Sequence, residues 1–277
     1  MAAKYELGIV DTRNIIKSIK EKYNFNFKNY ALTFFKRRVE LIIEKYNLKN
    51  ADNFIRRIED DKDFFEIFLK ETCVEITELF RDPSLWRFLK DDFFPGVIPK
   101  NTQYKIWFPE VSSGEELYSV AILLDYLGLL DNVLFLVSSI SQIHLNKIQE
   151  GYFDYSKIDV NESNYKRIIG DKPLSDYYTI EDESAYIDIS LLKNIKFIKQ
   201  NTIFEQYPKG IKLIFYRNHL LYFNQILEER LLKSLYNCLV PGGHLIIGMN
   251  EKIDYWNSEK DYILVNENEK IYKKKLA

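Results

Sequence analysis

The sequence predicts an α/β protein with a helical N-terminal part and a layered domain of alternating strands and helices. Three observations predict it. Apolar residues up to about position 93 recur at helical spacing. After Pro99 short apolar runs alternate with helical patterns, which implies a mostly parallel sheet covered on both faces. A polar, tyrosine-rich stretch at about 154–192 breaks that alternation, and structureless loops of this length are uncommon in compact domains. A small inserted subdomain or a long lid would account for it.

The elements follow in order. Ile15, Ile16 and Ile19 fit one face of a first helix, and Leu32, Phe35, Val39, Ile42 and Ile43 fit a second. "NADNFIRRI" opens a third, with Asn50 or Asp52 as its cap. "FFEIFLKETCVEITELF" continues the helical pattern until Asp82-Pro83 breaks it, since proline disfavours helical geometry in the residue before it. "SLWRFLKDDFFP" reads as a short helix ending at Pro95. "YKIWF", "NVLFLVSS", "NIKFIKQN" and "IKLIFY" are strands, with the helices "GEELYSVAILLDYLG" and "SQIHLNKIQEG" after the first two. In "QILEERLLKSLYNCL" Leu227, Leu231, Leu235 and Leu239 form a stripe at four-residue spacing. "VPGGHLIIGM" is a turn entering a strand, and "YILVNENEKIYKKK" a terminal hairpin. The expected division is 1–75 for the helical domain and 76–277 for the sheet domain.

Composition narrows the function classes. The chain has 277 residues, 46% hydrophobic and 29% charged, with a formal net charge of -2. That balance does not suggest nucleic acid as a partner. Cys73 and Cys238 lie apart and flank no motif, and His144, His219 and His244 are isolated, so no metal site is expected. No apolar run approaches the roughly 18 residues needed to span a bilayer, and the N-terminus lacks a signal-peptide core. A cytoplasmic monomer without membrane insertion is expected.

Ligands of open α/β sheets sit at the carboxyl ends of strands, which singles out "PEVSSGEE" (109–116), "VSSIS" (137–141) and "YRNHLLYF" (216–223). Each has a plain structural reading. Ser112 with Glu115, or Ser113 with Glu116, matches a capping box. "TELFRD" (77–82) reads as a helix end with Thr77 and Arg81 on one face. Arg217 and Asn218 can simply close a strand. No glycine-rich phosphate loop or Walker lysine is present, so nucleoside triphosphates are not expected.

Taken in order, "VEITELFRDPSLWRFL", "IWFPEVSSGEELYSVAILL", "SSISQIHLNKIQEGYF", "IFYRNHLLYFN" and "LVPGGHLIIGMNE" resemble the CheR-type chemotaxis receptor methyltransferases. The likeness runs from about residue 11 to 265 and rests on the combination of motifs. It implies a helical domain followed by a Rossmann-like S-adenosylmethionine-dependent methyltransferase domain with a small inserted β subdomain. It implies methyl transfer to glutamate carboxylates on the cytoplasmic region of a methyl-accepting receptor, with S-adenosylhomocysteine as product. Carried over residue by residue, it implies that Thr77, Arg81, Gly114, Glu115, Ser139, Asn201, Thr202, Asn218 and His219 contact the cofactor. Arg81 would lie beside the reaction centre, and Tyr222 would orient the substrate.

Two positions depart from the pattern. Glu110 stands where the family has a small residue, often glycine. Ser139 replaces an acidic residue that grips the ribose hydroxyls. Leu117 stands for a usual proline, with little consequence expected. Three readings follow: an active glutamate methyltransferase, a CheR-like binding module with weakened or lost catalysis, and a methyltransferase acting on another substrate. Residues 1–70 carry 15 Lys/Arg against 11 Asp/Glu, and "KRR" (36–38) is either a solvated helix face or a docking face for an acidic receptor tip.

Overall fold

The computed structural model describes residues 5–28, 30–73, 77–201, 207–253 and 261–276. The chain divides into two compact units, residues 1–74 with 219–233, and residues 75–218 with 234–277.

The first unit holds α1 (Ile9–Tyr23), α2 (Leu32–Lys45), α3 (Ala51–Asp60) and α4 (Lys62–Thr72). Asn50 caps α3 by accepting the Asn53 N–H, and Asp61 caps α4 by accepting those of Asp63 and Phe64. These caps satisfy donors that a helix start leaves open. Ile15, Ile19, Phe35, Val39, Ile42 and Ile43 are buried as expected, whereas Leu32 is exposed. Phe27, Phe35, Phe54 and Phe68 interleave with ring centroids 5.1–6.3 Å apart, within the range favourable for aromatic pairs. Lys36 and Arg37 both reach the carboxylate of Glu40, and Arg38 lies over the Phe34 ring. The basic run is thus partly engaged in its own helix.

The second unit begins with α5 (Pro83–Phe88), which passes through a π turn (Leu89–Phe93) into α6 (Phe94–Val97). The helical stretch therefore ends at Val97 and not at Pro95. Pro95 lies in the first turn of α6, where its missing N–H is tolerated.

The sheet follows: β1 (Tyr104–Phe108), α7 (Glu115–Tyr126), β2 (Val133–Ser139), α8 (Gln142–Gln149), β3 (Tyr152–Asp154), α9 (Ile158–Lys166), β4 (Tyr178–Glu181), β5 (Ser184–Ile187), β6 (Ile195–Lys199), β7 (Ile211–Tyr216), α10 (Gln225–Cys238), β8 (Leu239–Ile247), β9 (Tyr262–Asn266) and β10 (Ile271–Lys274). Seven strands form one sheet in the order β6-β2-β1-β7-β8-β10-β9. The first five are parallel, and β10 runs antiparallel to both β8 and β9. β1 and β7 are almost wholly buried, so they read as continuous apolar runs rather than alternating ones. Leu239 opens β8, so only Leu227, Leu231 and Leu235 of the leucine stripe are helical. "VPGG" lies within β8 as an irregular stretch, with Gly242 left-handed at φ 77°. The stretch that breaks the alternation folds as α9 and a second sheet, β3-β5-β4, which is the expected inserted β subdomain. Among the described residues no helix is long and apolar enough to cross a membrane.

Candidate cofactor site

From β1 the chain steps through β2 to β6 on one side, then returns to β7 and β8 on the other. The order reverses between β1 and β7, and the carboxyl ends at such a switch point form a ligand crevice. Glu110 and Tyr216 stand there. The Tyr216 hydroxyl donates to Glu110 Oε2 at 2.9 Å. Glu110 Oε1 is buried and has no hydrogen-bond partner among the described residues. Burial raises the Glu110 carboxyl from 4.5 to about 7, partly offset by the Tyr216 hydrogen bond. The Glu110 backbone is left-handed, φ 59°. That conformation suits glycine, the residue type that the resemblance implies at this position.

The next turn corrects an expectation. Gly114 is the N-cap of α7 and, being glycine, offers no side-chain cap. The Ser113–Glu116 capping box does not form, since Ser113 Oγ is buried without a partner among the described residues. Gly114 serves packing: a Cβ there would lie 2.1–2.4 Å from atoms of the Tyr118 side chain. Tyr118 is fixed in turn by donating to the carbonyls of Ile148 and Tyr152. Glu115, the first residue of α7, is buried. A pocket of about 120 Å³ beside this turn is lined by Ser112–Glu115, Lys147, Tyr152, Asp154 and Lys157, among others.

The segment before α5 is not the helix end that its i,i+4 spacing suggests. Phe80 and Asp82 are both left-handed, at φ 56° and 60°. Neighbouring groups hold this backbone. Leu79 N–H donates to Asn161 Oδ1 at 2.9 Å, and Phe80 N–H to Ser119 Oγ at 2.8 Å. The Leu79 carbonyl accepts from Asn164, and the Arg81 carbonyl from the Trp86 indole. Arg217 closes the arrangement, donating to Asp82 Oδ2 at 2.6 Å and to Glu116 Oε1 at 2.8 Å. Its side chain is 3% exposed. Desolvation raises Glu116, and the Arg217 charge acts against that rise. In the sequence Asp82, Glu116 and Arg217 have only structural readings, as a helix break, a capping box and a strand end, which do not join them in one site.

The other candidates fall at strand ends. Ser139, the last residue of β2, is buried, and its Oγ accepts the Ser141 N–H at 3.3 Å. Its carbonyl accepts the Gln200 N–H, which brings Asn201, also buried, to the same edge. Gln200 Nε2 is a buried donor without a partner among the described residues. Asn218 is left-handed at φ 62°, and its N–H donates to Glu251 Oε2. The same oxygen accepts the Gly248 N–H, and a Cβ at Gly248 would strike Asn218 Oδ1 at 2.5 Å. Glu251 and Gly248 were likewise missed, since nothing local in "IIGMNEKI" marks them. The Thr77 carbonyl accepts from Lys157 Nζ. His219 and Tyr222 belong to the first unit, where the Tyr222 ring lies 4.4 Å from that of Phe34. Desolvation lowers His219 to about 4. Thr202 lies outside the described residues.

The second unit therefore gathers Arg81, Gly114, Glu115, Ser139, Asn201 and Asn218 around the carboxyl edge. An open acceptor at Glu110 and an open donor at Gln200 face the needs of a ligand that carries both a cation and hydrogen-bond acceptors. S-adenosylmethionine has an α-ammonium and a sulfonium at one end and an adenosine at the other, so the residues present fit it.

The chain matches the family model described as CheR methyltransferase, SAM binding domain, over residues 75–271, and the CheR all-alpha domain over 11–72. A Pseudomonas putida protein assigned by name as the methyltransferase Cher3 is 28% identical over 246 residues, 89% of this chain and 90% of its own length. The chemotaxis protein methyltransferase of Borreliella burgdorferi is 25% identical over 278 residues, 94% of this chain and 95% of its own. Among solved structures, the N-methyltransferase NodS of Bradyrhizobium japonicum with S-adenosylhomocysteine aligns at TM-score 0.39 and 10% identity, covering 71% of this chain and 88% of that one. With both of its domain models matched over nearly the whole chain, the protein belongs to the CheR methyltransferase family and carries its S-adenosylmethionine-binding domain.

Proposed function

We propose that this chain transfers a methyl group from S-adenosylmethionine to glutamate carboxylates of a chemoreceptor-like signalling protein, giving glutamyl methyl esters. The observation that carries this is the edge built from the "FRDP", "SSGEE" and "YRN" segments, knit together by Arg217. Several relatives are named chemotaxis protein methyltransferases, including that of Listeria innocua, 24% identical over 85% of this chain and 87% of its own length. Those names favour a transferase over a binding-only module.

The chemistry asks little of side chains as acids or bases. A glutamate with a pKa near 4.3 is already ionised at neutral pH, so no strong general base is required. The bound cofactor supplies an electrophilic methyl on a sulfonium. What the chain must provide is alignment, which can account for roughly 7–11 kcal/mol of a barrier. Arg81 is the candidate for holding the incoming carboxylate, on a backbone that its neighbours fix before any ligand arrives. Glu115, Ser139, Asn201 and Asn218 are the candidates for the cofactor.

The purified chain, mixed with methyl-labelled cofactor and the cytoplasmic fragment of a methyl-accepting receptor, should label that fragment. The label should leave as methanol in mild base and vanish when the acceptor glutamates are changed to alanine. Base-stable label would point to another acceptor chemistry and overturn the proposal.

Ser139 offers a second test, of its place in the site. A carboxylate accepting ribose hydroxyls contributes roughly 1.5–3 kcal/mol against about 1 for a neutral hydroxyl. Ser139→Asp should tighten S-adenosylhomocysteine binding about tenfold in calorimetry. Unchanged or weaker binding would show that the ribose lies elsewhere.

A further inference from the structure

Glu110 combines features that are each unfavourable alone. Its backbone is left-handed at φ 59°, a conformation that strains a residue with a Cβ. Its carboxyl is desolvated, with Oε2 held by Tyr216 and Oε1 buried and open among the described residues. Such features persist where the surroundings enforce them or where they serve a ligand. They fall at the β1–β7 switch point, where the topology places a ligand. A buried carboxylate with an open oxygen is stabilised by a cation. The adenosine end of S-adenosylmethionine has none at neutral pH, whereas its amino-acid end carries the α-ammonium and the sulfonium.

We propose that Glu110 is a cofactor-recognition residue of this chain: its Oε1 receives the α-ammonium of the cofactor while Tyr216 holds Oε2. This rests on the S-adenosylmethionine-binding reading and adds to it a contact that a glycine at this position could not make. The glutamate thereby changes from an obstruction in the turn to part of the ligand's own coordination.

A linked proton follows. Free Glu110, raised to about 7, is partly protonated at neutral pH. A bound ammonium favours the ionised form, so binding expels that proton, and affinity rises as pH rises towards 7. The charged and titratable groups at the ends of elements that meet the switch point include Tyr216 and Arg217 at and after the end of β7, Glu115 and Glu116 opening α7, and Arg81 and Asp82 before α5. Desolvation and the Tyr216 hydrogen bond are the causes of the Glu110 shift. Desolvation also lowers His219 and His244 to about 4 each, below the window of interest.

The test is calorimetry of the full chain with S-adenosylhomocysteine, which keeps the ammonium, in two buffers of different ionisation enthalpy. At pH 7 the unaltered chain should release about half a proton per ligand, and its affinity should rise about fivefold between pH 6 and 7. Glu110→Gln should bind more weakly, with release and pH dependence both reduced. Glu110→Gly, which suits the left-handed turn, should still bind but without the Glu110-linked proton. Equal proton release by the unaltered chain and both variants would overturn this proposal alone. Absence of binding by all three at millimolar ligand would overturn the cofactor reading with it.

Discussion

Arg217→Ala is expected to destabilise the second unit by on the order of 3 kcal/mol, at the lower end of the roughly 3–5 kcal/mol for breaking a buried ion pair by removing one partner. The reason is the geometry of the triad. A guanidinium that is 3% exposed serves two carboxylates at 2.6 and 2.8 Å, and those carboxylates are 30% and 25% exposed. Removing it leaves Asp82 and Glu116 as neighbouring anions, one of which desolvation already disfavours. Because both still reach water, the lower end applies. At about 2–4 °C per kcal/mol for a domain of this size, thermal unfolding should shift down by roughly 6–12 °C. Arg217→Lys should recover only part, because an ammonium is a point charge and not a planar fork. A shift under about 2 °C for the alanine variant would show that the triad adds little to the fold.

Arg81→Ala should have the opposite profile, with a large loss of activity and little loss of stability. The backbone on either side of Arg81 is held by hydrogen bonds with Asn161, Ser119, Asn164, Trp86 and Arg217 that do not use the Arg81 side chain, whose charge acts on Glu116. The loop should therefore keep its shape when the side chain is cut back. The lost guanidinium would have stabilised charge at the reacting carboxylate, and removing one such preorganised donor costs roughly 100- to 1,000-fold in kcat. A turnover loss of about 100-fold, with thermal unfolding within about 2 °C of the parent, is expected. Unchanged turnover would remove Arg81 from the reaction centre. Collapse of stability would recast it as a structural residue.

Much of this architecture is legible in the residues. "YKIWF", "NVLFLVSS" and "IKLIFY" are buried parallel strands, and such strands are continuous apolar runs that need no partner to be recognised. Asn50 is legible as a cap because its bond to Asn53 is local. Contacts made across long separations are less so. Arg217 meets Asp82 and Glu116 across 135 and 101 residues of chain, and Asn218 meets Glu251 across 33. No local pattern announces such pairs.

Backbone conformation hides in a similar way. Glu110, Phe80 and Asp82 are left-handed without being glycine, and propensity does not flag a residue that its surroundings force. The Ser113–Glu116 capping box misled for a related reason. Gly114 takes the cap position because the Tyr118 ring occupies the space that a side chain there would fill. Thr77 and Arg81 share a face only on an ideal helix, and this segment is not one. The order of the motifs along the chain remained informative where individual spacings did not.

The central claim is that the carboxyl edge around Glu110, Ser139 and Arg81 is a working cofactor site despite its two unusual residues. The direct measurement is a calorimetric titration of the unaltered chain with S-adenosylhomocysteine at pH 7. Saturable binding with one ligand per chain is the predicted result. No detectable heat of binding at millimolar ligand, from a chain that unfolds cooperatively, would contradict the claim.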